Sequence, residues 1–487
     1  MMTIQAPRLL KNLMYLSGAE VASKIVTFAA IAYLARVAGP VGYGYVEFAG
    51  AVLLCAGLIV DQGFGPYGAR EIAKTPERTA ELVSEIVFAR FILALFAYAF
   101  VVAFALLVVH SSAVTVLLFI YGISLLVTPL LLQWVFQGHA EMQTVGVLQV
   151  IRQVAFAAVI FLFVRTEAQI WVAAVAEIVG VSSAAAYGVW MYRRKIGEPI
   201  RARWVLSRQL FREGVPIGLS QLFWMMRMYG ATVIVGLIAS DQDVGFFGAA
   251  MRILIALHAF IFLYYFNLLP SLSQAWQRGD GTFAALIARS LHSVVWLSLA
   301  GGLGWALLAL PATVAVYGAA FAPAGVALRL LSGVGVAAAL SGHYRYGLVA
   351  AGLQNLEMLV SALGAVLVLI LVPFGYSQAG VSGAAVGLVL TELVVWWAAW
   401  WAARKKLGLR RHSMFLIRPF LVGVFVLALL WLLPYASPLL QTIIALAAIG
   451  ASALLLDGDV RNRFMGLVVK CRPWIRVQLD RMTQAVR

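Results

Sequence analysis

The chain is 487 residues long, 63% hydrophobic and only 11% charged, with a mean hydropathy of +0.94. These values exclude a soluble globular protein and point to an all-α integral membrane protein. The formal charge of +16 admits nucleic acid binding or a positive-inside membrane topology, and the placement of Lys and Arg decides between them.

In chain order, the apolar runs predict fourteen membrane helices: 9–35, 44–63, 85–109, 113–137, 143–165, 168–192, 213–239, 245–270, 283–310, 325–350, 356–373, 377–403, 414–434 and 435–456. Segments 64–84 and 404–413 read as linkers, 193–212 as a basic connection and 457–487 as a basic tail. The first run is interrupted by charge and is kept as a span, not a cleaved signal. Cys55 lies in the second run and Cys471 in the tail, so no disulfide is expected between them.

With the N-terminus in the cytoplasm, twenty-six Lys and Arg fall inside and two, Arg36 and Arg165, outside. Both termini are therefore expected in the cytoplasm, and nucleic acid loses its support as a partner. Eight cations remain within spans: Lys24, Arg90, Arg152, Arg227, Arg252, Arg289, Arg329 and Arg345. Arg90, Arg289, Arg329 and Arg345 are near helix ends and read as snorkelling. Lys24, Arg152 and Arg227 are near mid-helix, with Arg252 intermediate. At about 2.5–3.5 kcal/mol each against lipid, three such cations are expected to face a polar interior.

Shifting the chain by 203 superposes Ser17 on Ser220, Lys24 on Arg227, Leu34 on Leu237, Val41 on Val244, Gly42 on Gly245 and Tyr43 on Phe246. Two parallel repeats of six spans follow. The expected domains are an N-lobe at 1–192, a basic linker at 193–212, a C-lobe at 213–403, two further helices at 404–456 and the tail at 457–487.

No ATP-binding P-loop occurs, and no cofactor or metal site is expected. The run Gly39-Pro40-Val41-Gly42-Tyr43-Gly44 reads as a turn between spans. Asp241-Gln242-Asp243 and Asp457-Gly458-Asp459 have the acidic spacing of metal-dependent glycosyltransferases. Neither adjoins a soluble domain to hold a sugar donor, which puts transport ahead of enzymatic transfer. His258 and His292 read as hydrogen-bonded packing residues. Asp61 begins a polar turn that it caps or orients.

Glu20 and Lys24 are four apart and share a helical face. Either the pair neutralises itself so that the helix inserts, or Lys24 belongs to an anion site that Glu20 tunes. On the seventh helix Ser220, Trp224, Arg227 and Ala231 share a face, directing Arg227 towards the interior. Glu177 and Glu392 are candidate partners for Arg152 or another interior cation.

The motifs N-L-x-Y-L-x-x-x-E-x-x-x-K from Asn12, Y-L-A-R-x-x-G-P-x-x-Y-G from Tyr33 and D-x-G-F-G-x-Y-G-A-R-E-I-A from Asp61 resemble the Wzx-type polysaccharide flippases. These belong to the multidrug/oligosaccharidyl-lipid/polysaccharide exporter superfamily. Val244-Gly245-Phe246-Phe247-Gly248-Ala249-Ala250 and Tyr317-Gly318-Ala319-Ala320-Phe321 resemble its later turns. The resemblance implies two six-helix lobes in a V-shaped exporter fold, with helices 13 and 14 appended. It also implies alternating access and a cationic cavity for a polyprenyl-pyrophosphate-linked oligosaccharide. Lys24 and Arg252 fall where such transporters place cavity cations, Arg227 follows through the repeat, and Arg152 is a further candidate. The second helix offers only Glu47, towards the outside. Outward movement of anionic charge in an inside-negative cell is downhill by about 2.3 kcal/mol per charge per 100 mV, so two phosphate charges suffice without ATP. Proton or sodium counter-transport through Glu20, Glu177 or Glu392 is a second route. A multidrug or metabolite exporter of the same fold is the alternative function.

Overall fold

The computed structural model describes the backbone of residues 6–200, 208–409, 413–433, 436–463 and 465. Side chains are described from Ser23 onward, except at 216, 220 and 413–416. Among these residues the regular structure is entirely helical. In chain order the α-helices are α1 (Ala6–Asp61), α2 (Phe64–Lys74), α3 (Thr79–Leu107), α4 (Ser112–Val127), α5 (Gln133–Gly138), α6 (Met142–Phe163), α7 (Val172–Ile196), α8 (Arg208–Met228), α9 (Gly230–Ile238), α10 (Asp241–Arg278), α11 (Thr282–Tyr317), α12 (Ala322–Ala350), α13 (Gln354–Leu407), α14 (Ser413–Trp431) and α15 (Pro438–Leu456).

At 1.5 Å per residue the 56 residues of α1 run about 84 Å, far beyond one hydrocarbon core. The helix therefore has to be two spans, and it breaks at Gly39, with φ +65° and ψ 177°. Only glycine adopts that conformation freely, and Pro40 then opens the second leg with its φ already set. The same logic divides α13 at Ala379 and Gly380. Ten described helices are long and apolar enough to cross a membrane, or eleven with α8 and α9 taken as one span bent by 50°. Separating the legs of α1 and α13 and adding the short apolar helix Ile417–Trp431 recovers the fourteen expected spans.

Elsewhere the segmentation differs from the sequence reading. The expected linker at 64–84 contains α2, whose Phe64, Tyr67 and Ile72 are buried while Arg70 and Lys74 are exposed. Its glycines serve close packing. A Cβ on Gly68 would lie 2.4 Å from the Trp134 ring, so the helix lies flush on that indole. The fourth expected helix ends early, at Val127, and the chain continues through a 3₁₀ turn containing Pro129 into α5. The seventh breaks at Tyr229, between α8 and α9.

The chain forms two compact units. One comprises residues up to Ala256 together with Ala312–Ala327 and Ser361–Thr391; the other comprises Leu257–Pro311, Leu328–Val360 and the chain from Glu392. In the first unit α1 packs on α3, α4 and α6, and α6 on α7. One core gathers Phe64, Ile72, Val83, Ile86, Trp134 and Tyr192. Tyr43 and Phe246, matched by the 203-residue offset, both pack on Phe321, with ring centroids 5.7 and 6.3 Å away. The turns that carry them meet backbone to backbone. A Cβ on Gly44 would lie 2.0 Å from the Asp241 carbonyl oxygen, and one on Gly245 1.9 Å from that of Pro40. Neither carbonyl can swing away as a side chain would. Gly44→Ala is therefore expected to cost about 1–3 kcal/mol, read as a lower unfolding temperature in detergent. Gly50→Ala, with no atom within 4 Å of its new methyl, is expected to leave that temperature unchanged.

In the second unit one core runs through Leu272, Ile287, Leu291, Tyr344, Leu348 and Val395. A smaller one joins Trp296 to Val426 of α14 and Ala445 and Ile449 of α15. Buried His343 bonds Tyr265 Oη through Nδ1 at 2.7 Å and Ser290 Oγ through Nε2 at 2.8 Å. Phe96, Leu107, Phe260, Phe420 and Trp431 are more than half exposed, as expected of side chains that face lipid.

Two cations assigned to snorkelling are instead paired. Arg90, 6% exposed, is bound to Asp61 and stands over the Trp134 ring at 5.8 Å. Asp61 also accepts the Gly65 N–H at 3.3 Å, the capping role expected of it. Arg345 Nε donates to Glu357 at 3.0 Å. Burial beside an acid replaces reaching for water in both cases. Arg289 and Arg329 are exposed. Arg36 donates to the Val316 carbonyl at 2.8 Å, a cation on the C-terminal carbonyls of α11.

Candidate substrate-binding site

The first leg of α1 carries Ser23, Lys24 and Thr27 at spacings that share a face, and α6 carries Gln149 and Gln153 one turn apart. These side chains meet Arg252 of α10 around a cavity of about 230 Å³, with Phe28, Ile31 and Ile255 completing its wall. The Thr27 hydroxyl donates to Gln153 Oε1 at 2.6 Å, which fixes the orientation of that amide. Two cations, two carboxamides and two hydroxyls on apolar walls suit a multiply charged anion bearing many hydrogen-bonding groups.

Arg252 is oriented by an acid 205 residues away in sequence. Its Nε and Nη2 donate to Glu47 Oε1 at 3.1 and 2.6 Å. The same oxygen accepts the Tyr43 hydroxyl at 2.7 Å. Glu47 is 8% exposed, a buried partner of Arg252. A Cβ on Gly248 would lie 2.8 Å from Glu47 Cγ, and this close approach helps confine the carboxylate. Three groups thus hold Arg252 in one pose: Glu47 directly, Tyr43 through Glu47, and Gly248 by leaving no slack.

Of the four sequence-predicted cavity cations, Lys24 and Arg252 come together and the other two do not. Arg152 turns to α7, where its Nη2 meets Glu177 Oε1 at 2.5 Å, choosing Glu177 over Glu392. Arg227 sits in the last turn of α8 with no exposed surface, and it does not line this cavity. Glu392 is likewise fully buried, in the second unit. Glu20 lies outside the described side chains, so the Glu20–Lys24 pair is not defined.

The acidic pairs take structural roles. Asp243 accepts the Tyr376 hydroxyl at 2.7 Å. Asp457 accepts the Trp296 indole N–H at 3.1 Å and the backbone N–H of Asp459 and Val460. His292 lies 3.5 and 3.6 Å from Asp457 and Asp459, as a packing residue should. The functional side chains missed in the sequence are Glu47, Tyr43, Gln149 and Gln153. Each pair had a signal: polar residues four apart in otherwise apolar helices.

Fold and cavity define a multi-pass membrane transport protein. Its fold is that of the multidrug/oligosaccharidyl-lipid/polysaccharide exporter superfamily. The lipid II flippase MurJ in an inward closed conformation aligns with a TM-score of 0.68 at 13% identity, over 91% of this chain and 99% of that one. A multidrug resistance MATE family transporter in an inward-facing conformation aligns with a TM-score of 0.64 at 17% identity, over 79% and 94%. In sequence, the "Putative O-antigen transporter" of Escherichia coli (strain K12) is 24% identical over 342 residues, 69% of this chain and 81% of that one. Residues 9–276 match the family described as "Polysaccharide biosynthesis protein". The chain belongs to that family, whose relatives here are transporters and not enzymes.

Proposed function

We propose that the protein is a flippase for polyprenyl-pyrophosphate-linked oligosaccharide, working by alternating access in surface polysaccharide assembly (O-antigen, capsule or exopolysaccharide). The observation that carries this reading is the meeting of Lys24 and Arg252 at one cavity in a chain of this family. A pyrophosphate needs cations and a sugar needs amides and hydroxyls, whereas the polyprenyl tail stays in lipid. The cavity offers all three polar elements. The membrane would be the bacterial inner membrane, with both termini in the cytoplasm as the charge distribution requires and movement from the inner to the periplasmic leaflet. Two six-helix lobes, 1–192 and 213–403, would alternate about the site, with 193–212 as their linker and 404–456 and 457–487 as appendages. The membrane potential drives an anion outward. A counter-transported proton or sodium ion would use Glu20, Glu177 or Glu392, and polysaccharide polymerase components would take the product.

The fold shared with a multidrug transporter favours a second reading, a drug or metabolite exporter. Cationic drugs call for acids at the cavity, while here the lining charges are Lys24 and Arg252. A deletion strain separates the readings: loss of surface polysaccharide with unchanged drug resistance is expected, and the reverse pattern overturns the proposal.

A further inference from the structure

A second polar cavity, of about 300 Å³, lies in the second unit between the end of α10 and the start of α11. Each helix offers one face: Ser271, Gln274 and Arg278 from α10, Thr282 and Arg289 from α11. The spacings of three, four and seven residues put each set on one side of its helix. A short turn joins the helices, with Gly279 and Gly281 at φ +67° and +80°. The hairpin thus closes one end of a groove with an arginine on each wall. Arg463 adds positive charge beside it, donating to the Arg289 carbonyl at 3.0 Å and to Ser293 Oγ at 2.6 Å. The acid beside the groove, Asp280, is engaged: its carboxylate caps α11 by accepting the Thr282 N–H at 3.0 Å. Leu407 and Phe283 both adjoin Gly347, which brings the Arg404–Lys405–Lys406 run near this end of the unit, and Arg461 stands two residues before Arg463.

We propose that this groove binds a phosphate ester anion, clamped between Arg278 and Arg289 with Ser271, Gln274 and Thr282 as hydrogen-bonding partners. Two guanidinium groups lining one groove suit a tetrahedral phosphate bearing several acceptor oxygens. The chain passes from helix to turn here, at the Lys- and Arg-rich end of the unit, so the phosphate of an anionic phospholipid headgroup reaches the site without leaving its leaflet. This site shares no residue with the cavity at Lys24 and Arg252, and the proposal does not rest on the transport reading.

Native mass spectrometry of the full chain in detergent tests it, with phosphatidylglycerol, phosphatidylcholine and, separately, inorganic phosphate as probes. Phosphatidylglycerol is expected to bind about tenfold more tightly than phosphatidylcholine. That preference should vanish in the Arg278→Ala/Arg289→Ala variant and persist in Arg404→Ala/Lys405→Ala. Both mutated arginines of the groove are exposed, so the unfolding temperature of the double variant should match wild type. Binding of inorganic phosphate that needs both arginines, without a lipid preference, supports the site and assigns it to a soluble phosphate ester. Undiminished phosphatidylglycerol preference in the Arg278→Ala/Arg289→Ala variant, or no binding of either probe to wild type, overturns the proposal.

Discussion

Lys24→Ala is expected to abolish surface polysaccharide assembly while the protein still reaches the membrane in normal amount. Arg252→Ala is expected to abolish it with some loss of stability, since buried Glu47 is left without its cation. Each removes one of the two cations lining the cavity. A hydrogen bond to a charged group is worth about 1.5–3 kcal/mol, so losing one weakens binding of a pyrophosphate roughly ten- to a hundredfold. Lys24→Arg keeps the charge and should retain partial function. Arg252→Lys should do worse, because a lysine cannot make the two-pronged contact with Glu47 and still present charge to the cavity. Complementation of a deletion strain, scored by surface polysaccharide and by membrane abundance, gives the comparison. Wild-type assembly in both alanine variants would remove the cavity from the mechanism.

Glu47→Ala is expected to be the most damaging acidic substitution in stability as well as transport. It leaves the Arg252 guanidinium, whose side chain is 31% exposed, without its carboxylate, and leaves the buried Tyr43 hydroxyl without its acceptor. Breaking a buried pair from one side costs about 3–5 kcal/mol, an upper bound here because Arg252 keeps some contact with the cavity. Removing both charges is expected to restore part of the lost stability, since no buried charge is then orphaned. Thermal unfolding of Glu47→Ala, Arg252→Ala and the double variant forms a double-mutant cycle that reads the coupling directly. Additive losses would mean that Glu47 does not position Arg252. Glu47→Gln, which keeps an acceptor for both donors, should fall between wild type and alanine.

Much of the fold was legible because hydrocarbon thickness, helix rise and charge sidedness are strong constraints. The fourteen spans and the turn at Gly39 follow from them. The site was legible only where a charge sat at the wrong depth. Lys24 and Arg252 met that condition. Glu47 met it too, but its role depends on which helix stands opposite, a fact separated from it by 205 residues of chain. Arg152 and Arg227 carried the same signal as Lys24 but do not line its cavity, Arg152 meeting Glu177 and Arg227 being fully buried, because helical periodicity fixes a face and not its neighbour. Arg90 and Arg345 show the converse: position near a helix end suggested water, and a nearby acid decided otherwise. The helix α2 was hidden by its own glycines, whose packing against Trp134 has no sequence signature separate from that of a turn.

The turn before α2 has a mechanical corollary. Gln62 and Gly63 both take positive φ, 42° and 74°, and a Cβ on Gly63 would lie 2.5 Å from the Gly214 carbonyl oxygen and from the Gly218 nitrogen of α8. Arg70 is bound to Glu213 on the same helix. The turn before α2 is thus packed main chain to main chain on α8, and α2 itself is tied to that helix by charge. Rotamer changes cannot loosen the backbone contact at Gly63, so the turn and α8 should travel as one strut whenever either moves. A spin-label pair across this joint would then keep its distance throughout a transport cycle.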